Sequence, residues 1–390
     1  MIQKPPLLSI NLVCDALSAA YLGCYGNEWC ATPAIDRLAH EGMTFDHAFT
    51  PLDVVPGGWR GASFDESLPR WQEAGIQCVW FSDESESEPP EGAIAPAILE
   101  EGGHSLERML QSALEWIDSN PDQPAIIWIA IGLAPSSWSP PAEGLAARLE
   151  GSEPVDPMGQ LDAVIEESLP IDSLDALRDT YAARVEELDR CLGEFFDELR
   201  EAELFDSTLI TFTADQGWPL GEHDAVGFAK PWLNEERDHV PLIIRVPGGS
   251  QASRSPGLIT TTDLGPTIDE FFGLEPDESL GGKSLAALIR GEPVLVREYL
   301  IAGLAEEEFA LRTQNWKLIL PCGEALVERP RQLYEKPEDR WEVNDLASLK
   351  PDIADHLELQ LYRYLDALER QTIDIVPLPP LRKDILTPTE

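Results

Sequence analysis

Two near-continuous apolar runs, each closing on an aspartate, constrain this chain most. Leu7–Asp15 (LLSINLVCD) shows almost no alternation of apolar and polar positions, and Ser207–Thr213 (STLITFT) leads into Ala214-Asp215 in the same way. A strand that is apolar on both faces must be covered on both faces, as a parallel strand between helical layers is. Gln77–Phe81, Ala125–Ile131 and Val240–Val246 (VPLIIRV, stopped by Pro247-Gly248-Gly249) read as further strands. Ser105–Asn120 carries Leu106, Met109, Leu110, Ala113, Leu114 and Ile117 at helical spacing. A long helix is expected over Ser173–Glu203, with Leu188, Leu192, Phe195, Phe196 and Leu199 on its inner stripe. Thr32–Gly42 (TPAIDRLAHEG) has Thr as N-cap, Pro at the first helical position and Gly as terminator, which predicts a short helix. Strands alternating with helices give an α/β fold, a mostly parallel sheet sandwiched by helices. Ligands of such sheets bind beyond the carboxyl ends of the strands, where Asp15 and Asp215 both fall.

The last third changes character. Glu308–Leu320 (EFALRTQNWKLIL) predicts a β-hairpin, and Pro351–Leu368 an amphipathic helix with Ile353, His356, Leu357, Leu361 and Leu365. The expected organisation is therefore an α/β domain over 1–292, a small C-terminal antiparallel-sheet-plus-helix (α+β) subdomain over 293–370, and a Pro-rich tail over 371–390. The acidic stretch Glu84–Glu101 and the end Val376–Glu390 read as solvated segments.

Charge narrows the partners. With 28 basic against 71 acidic side chains the formal net charge is −43, a field that opposes nucleic acid and anionic membrane surfaces. A hydrophobic fraction of 43% excludes a disordered acidic chain. The six cysteines (14, 24, 30, 78, 191 and 322) show no metal-binding spacing, and Cys14, Cys78 and Cys191 lie in apolar runs as small core residues. No apolar stretch is long enough to span a bilayer, and the N-terminal residues lack the pattern of a signal peptide, so a cytoplasmic location is expected. The sequence does not fix the oligomeric state.

The order of segments resembles the sulfatase family of the alkaline phosphatase superfamily over nearly the whole length. The resemblance is carried by Leu12–Asp15 with Tyr21-Leu-Gly-Cys-Tyr-Gly26, by Thr32–Gly42, and by Phe45-Asp46-His47-Ala48-Phe49-Thr50. It continues through Tyr181–Gly193, Phe205–Gly217, Leu220-Gly-Glu-His223, Lys230, Val240–Arg245, Asp263–Thr267 and Gly282–Leu285, and ends at Arg312–Ile319 and Leu333-Tyr334. It implies an alkaline phosphatase-like fold and a divalent cation, calcium first, held by oxygen ligands. It also implies a formylglycine nucleophile made from a Cys or Ser in C/S-x-P-x-R, with Lys and His side chains that bind sulfate and protonate the leaving group.

Against that pattern the site is degenerate. Asp15 and Asp215 match metal ligands, but Ala16 replaces a frequent second aspartate, and Gln216 stands where Asn or His is usual. The metal candidates are therefore Asp15, Asp215 and Gln216. A weak calcium site and plain capping of nearby amides both remain open for them. Placing Arg60 on the motif arginine puts Pro56 at the nucleophile position, and no cysteine lies between Cys30 and Cys78, so no formylglycine is expected. Thr50 and Ser63 are hydroxyls nearby, for which loop or capping roles are the simpler expectation. The Lys-x-His pair would fall in Val79–Asp83 (VWFSD), which has neither residue, and the Pro-His step is Pro135-Ser136. The candidates left for anion contact or proton transfer are Arg60, Lys230 and His223, the last also suited to a structural hydrogen bond. Two readings follow. One is a sulfatase-like protein that has lost ester hydrolysis and keeps weak metal or anion binding; the other is an active metal-dependent sulfate or phosphate ester hydrolase with a substituted nucleophile. Either would take a small anionic ester.

Overall fold

The computed structural model describes residues 8–52, 58–83, 89–98, 105–133, 163–164, 172–228, 233–249, 252–278, 281–304, 307–323 and 329–369. The two apolar runs become β1 (Leu8–Cys14) and β6 (Thr208–Ala214), side by side at the centre of an eight-stranded sheet. The remaining strands are β2 (Met43–Phe49), β3 (Gln77–Ser82), β4 (Ala125–Ile131), β8 (His239–Val240), β9 (Leu242–Arg245) and β10 (Ser253–Thr260), in spatial order β10-β2-β9-β6-β1-β4-β3 with β8 on β2. A separate two-stranded ribbon joins β5 (Ala163–Val164) to β7 (Ala225–Val226). Strand β1 pairs in parallel with both β4 and β6, and Cys14 faces Ile131 on one side and Ala214 on the other. That register brings the carboxyl ends of the three central strands to one line.

Helices cover both faces, as strands buried on both sides require. On one face α1 (Pro33–His40), α3 (Ser105–Ser119) and α4 (Asp172–Glu201) pack over Ile10, Leu12, Ile127, Ile129, Ile210 and Phe212. On the other, α2 (Gly58–Glu73) and α5 (Leu264–Phe271) cover Val13, Trp128, Ala130, Leu209 and Ile244. Among the described residues no helix is long and apolar enough to cross a membrane.

The C-terminal part forms a four-stranded antiparallel sheet of β11 (Tyr299–Leu304), β12 (Glu308–Thr313), β13 (Trp316–Pro321) and β14 (Gln332–Glu335). Helix α6 (Pro351–Glu369) seals it through Ala354, Leu357 and Leu361. The predicted hairpin is β12–β13.

Several expectations need correction. The run Val240–Val246 is not one parallel strand. Pro241 divides it into β8 and β9, and β9 is antiparallel to both β2 and β6. Proline lacks the N–H that a continuous ladder would use there. Thr32 is not a side-chain cap for α1; its Oγ1 accepts the Gly23 amide at 2.9 Å. The cap comes from tertiary structure, because Asp189 on α4 accepts the amides of Ala34 and Ile35 at 3.0 and 2.8 Å. Part of the stretch read as solvated pairs with the sheet edge: Ile94 exchanges backbone hydrogen bonds with Cys78 and Trp80. The Pro-rich end from Val376 lies outside the described residues.

Candidate functional site

Asp15 and Asp215 each take the position just past a central strand, and the register Cys14–Ala214 makes them neighbours at the carboxyl edge. Asp15 is buried, at 8% exposure, while Asp215 is half-buried. The Asp15 backbone N–H donates to Ile131 O at 2.9 Å and that of Asp215 to Cys14 O at 2.9 Å, so both acids are fixed by continuation of the strand ladder. Their side chains are tied as well. Asp15 Oδ1 accepts the Leu133 amide, and Asp215 Oδ1 accepts the Ala16 amide at 3.3 Å. Ala16 holds a left-handed conformation (φ 52°), which turns the chain sharply behind Asp15. Tyr181 on α4 clamps that turn: its hydroxyl donates to Ala16 O at 2.7 Å and accepts from the Ser18 amide at 3.2 Å.

The third metal candidate, Gln216, follows in the loop and is half-buried. Among the described residues no trio of His, Cys, Asp and Glu that includes Asp15 or Asp215 brings its ligand atoms within 4.8 Å of one another. The one such group is Glu107, Glu187 and Cys191, and Arg190 already bridges both of those glutamates. One oxygen of each aspartate is engaged by a backbone amide.

Arg60 lies in the first turn of α2, and its side chain, like that of Ser63, is outside the described ones. Lys230, Pro56 and Pro135-Ser136 also lie outside the described residues. Thr50 is fully buried. Its Oγ1 accepts the Leu52 amide at 3.3 Å, and its own N–H donates to Asp238 O at 2.9 Å. It closes the turn after β2, as its expected loop role requires.

His223 sits in a tight left-handed turn (φ 51°) with Nε2 3.6 Å from Glu236 Oε2. Burial opposes a charge on the ring, but Glu236 raises its pKa above the ordinary histidine value; burial in turn raises that of Glu236. Glu236 lies against the loop that follows β6. A Cβ on Gly217 would stand 1.9 Å from Glu236 O, so only glycine lets the loop after Asp215 approach so closely. A small cleft opens beside this loop, lined among others by Ser18, Glu235, Glu236, His239, Arg340 and Trp341.

Below the cleft a buried ionic network joins the two sheets. Lys317 on β13, with no exposed surface, lies 2.9 Å from Asp238 and 3.2 Å from Glu342. Lys336 reaches Glu342 at 2.9 Å and also pairs with Glu235, whose other oxygen faces His239 Nδ1 at 3.3 Å. Burial disfavours the Lys317 charge, yet Asp238 and Glu342 outweigh it and hold the ammonium protonated. Asp238 hands its backbone carbonyl to Thr50, so the network also fixes the exit of β2.

Two further charged residues at this edge were not singled out from sequence. Asp83, after β3, accepts the Gly132 amide at 2.7 Å. Arg184 on α4 is 3% exposed and donates to Gly132 O at 3.4 Å. The available signal was the α4 stripe itself: an arginine one turn after Tyr181 and one turn before Leu188 interrupts a face that is otherwise apolar.

A family model described as Sulfatase matches residues 72–274, just over half of the chain. Similar curated proteins include an N-acetylglucosamine-6-O-sulfatase of Bacteroides thetaiotaomicron, 34% identical over 151 residues, covering 36% of this chain and 27% of that protein. Arylsulfatase K of Rattus norvegicus is 28% identical over 197 residues, covering 47% of this chain and 34% of that protein. The matched stretch thus spans about a third or less of these curated relatives' length. Among solved structures, one in complex with its substrate D-glucosamine-2-N,6-O-disulfate superimposes with a TM-score of 0.75 at 18% identity, covering 97% of this chain and 100% of that one. A phosphonate monoester hydrolase of Agrobacterium radiobacter gives a TM-score of 0.70 at 18% identity, covering 94% of this chain and 96% of that one. Both likenesses are likenesses of fold.

Proposed function

This chain belongs to the sulfatase family, and we propose that it binds a small anionic ester at the carboxyl edge of its sheet without hydrolysing it. The observation that carries this reading is the state of the hydroxyl at the end of β2. Thr50 is fully buried and held by the turn, and the residue aligned with the nucleophile is Pro56, which has no group to attack with. Nucleophilic catalysis needs a reachable oxygen or sulfur beside a base. A divalent cation, where bound, supplies Lewis-acid stabilisation of an ester oxygen. Asp15, Asp215 and the amide oxygen of Gln216 are the residues to hold it, and binding is weak because half of the available carboxylate oxygens serve the backbone. The ligand class follows from the family and from charge. A net −43 opposes bulky polyanions, so a single sulfated or phosphorylated small molecule fits better than a polymer.

A second reading, metal-dependent hydrolysis with a substituted nucleophile, is favoured by the adjacency of Asp15 and Asp215 on paired strands. Assay of an aryl sulfate and a phosphodiester with added calcium, zinc or manganese separates the two. Background-level rates with every metal support the non-hydrolytic reading. Metal-dependent turnover that Asp215→Ala abolishes overturns it.

A further inference from the structure

We propose that Arg184 is an anion-binding residue whose guanidinium receives the tetrahedral oxyanion of a sulfate or phosphate ester at the carboxyl edge. This rests on the reading that the edge holding Asp15 and Asp215 is the ligand edge, and it requires neither metal binding nor turnover.

The first support is placement. Helix α4 touches the edge twice, one turn apart. Tyr181 bonds Ala16, the residue after Asp15, and Arg184 bonds the carbonyl of Gly132, the residue before the Leu133 amide that Asp15 accepts. Arg184 therefore reaches the loop that follows β4, on the same side of the sheet as the turn that follows β1.

The second support is the state of the guanidinium. The residue is 3% exposed; among the described residues its guanidinium makes one hydrogen bond, a long 3.4 Å contact to a backbone carbonyl, and its Nε has no hydrogen-bond partner. Among the described residues no carboxylate lies within ion-pair distance of it. Two other buried cations are paired directly: Lys317 touches two carboxylates, and Arg297 forms a fork on Asp263 at 2.6 and 2.7 Å. Arg312 is also buried with an unbonded Nε, but it sits in the field of Glu235, Glu342 and Asp238. A buried cation without a counter-ion is costly, and a chain carrying 71 acidic side chains had many to offer. A guanidinium kept unpaired beside a ligand edge is suited to an anion that arrives with the ligand. Its planar fork of donors matches two oxygens of a sulfate or phosphate group.

The test uses the full chain. Inorganic sulfate and inorganic phosphate are titrated calorimetrically at ionic strength matched with chloride, for the wild type, Arg184→Met and Arg184→Lys. Saturable binding by the wild type is expected for at least one of the two anions, and the tighter one names the ester class. Arg184→Met should weaken it tenfold or more, and Arg184→Lys, which keeps the charge and loses the fork, by an intermediate factor. In chloride alone Arg184→Met should melt at or above the wild-type midpoint, because an unpaired buried charge has been removed. Equal affinity in either folded variant, or no preference of the wild type for sulfate or phosphate over chloride, overturns the proposal. So does a lowered midpoint in chloride for both variants, which would make Arg184 an internal counter-ion. Ester turnover with unchanged dependence on Arg184 would sink the non-hydrolytic reading above and leave this one standing.

Discussion

Replacing Lys317 by methionine removes the one cation that lies between two buried acids. Lys317 lies 2.9 Å from Asp238 and 3.2 Å from Glu342, and none of the three side chains is more than 1% exposed. Glu342 keeps Lys336 at 2.9 Å, but Asp238 loses the one cation paired with it among the described residues. Breaking a buried pair from one side leaves an uncompensated charge and costs about 3–5 kcal/mol. The effect should be non-additive. Once Asp238 is neutralised as asparagine, little remains to be stranded, so Lys317→Met/Asp238→Asn should be less destabilised than the sum of the single variants, by about 2 kcal/mol. Unfolding midpoints in urea followed by tryptophan fluorescence give the cycle, and hydrogen exchange of the Thr50 amide, bonded to Asp238, localises it. A Lys317→Met protein within about 0.5 kcal/mol of wild type, or strict additivity in the cycle, would refute the assignment of this network as the link between the sheets.

Three further outcomes are expected. Burial raises the pKa of Asp189 to about 6. A raised folded value gives stability that is present below the ordinary aspartate pKa and lost as pH rises through 6. The wild type should therefore lose roughly 2–3 kcal/mol relative to Asp189→Asn between pH 4 and pH 6.5, read from urea titrations. Gly217→Ala should destabilise by more than about 2 kcal/mol, since its Cβ would meet the Glu236 carbonyl at 1.9 Å and the clash falls on backbone. Arg297→Ala should cost about 3 kcal/mol or more by thermal or urea unfolding, because Asp263 is fully buried, and lysine at that position should recover only part of it.

The elements legible in the sequence are those whose burial is local. Apolar runs without alternation marked β1, β3, β4 and β6 to within a residue or two, since a strand covered on both faces leaves that pattern wherever it lies. The long helix and the C-terminal hairpin were legible for the same reason. Strand β2, with His47 and Asp46 in its middle, and strand β10, with Pro256 and Gly257, were not, because their composition resembles loops and only pairing with neighbouring strands makes them strands.

The sequence by itself determined that Asp15 and Asp215 would end central strands, because strand burial and strand termination are written in residue order. It also determined that no cysteine lies between Cys30 and Cys78. Only the tertiary structure decided what surrounds those acids. Which amide each carboxylate accepts, that Asp189 rather than Thr32 caps α1, and that Arg184 is buried without a carboxylate partner among the described residues all depend on contacts between residues far apart in the chain. Hydrogen bonds and charge pairs act at a few ångströms in space. No periodicity along the chain encodes them, so local patterning set the strands while packing of α4 against the sheet edge set the surroundings of the two acids.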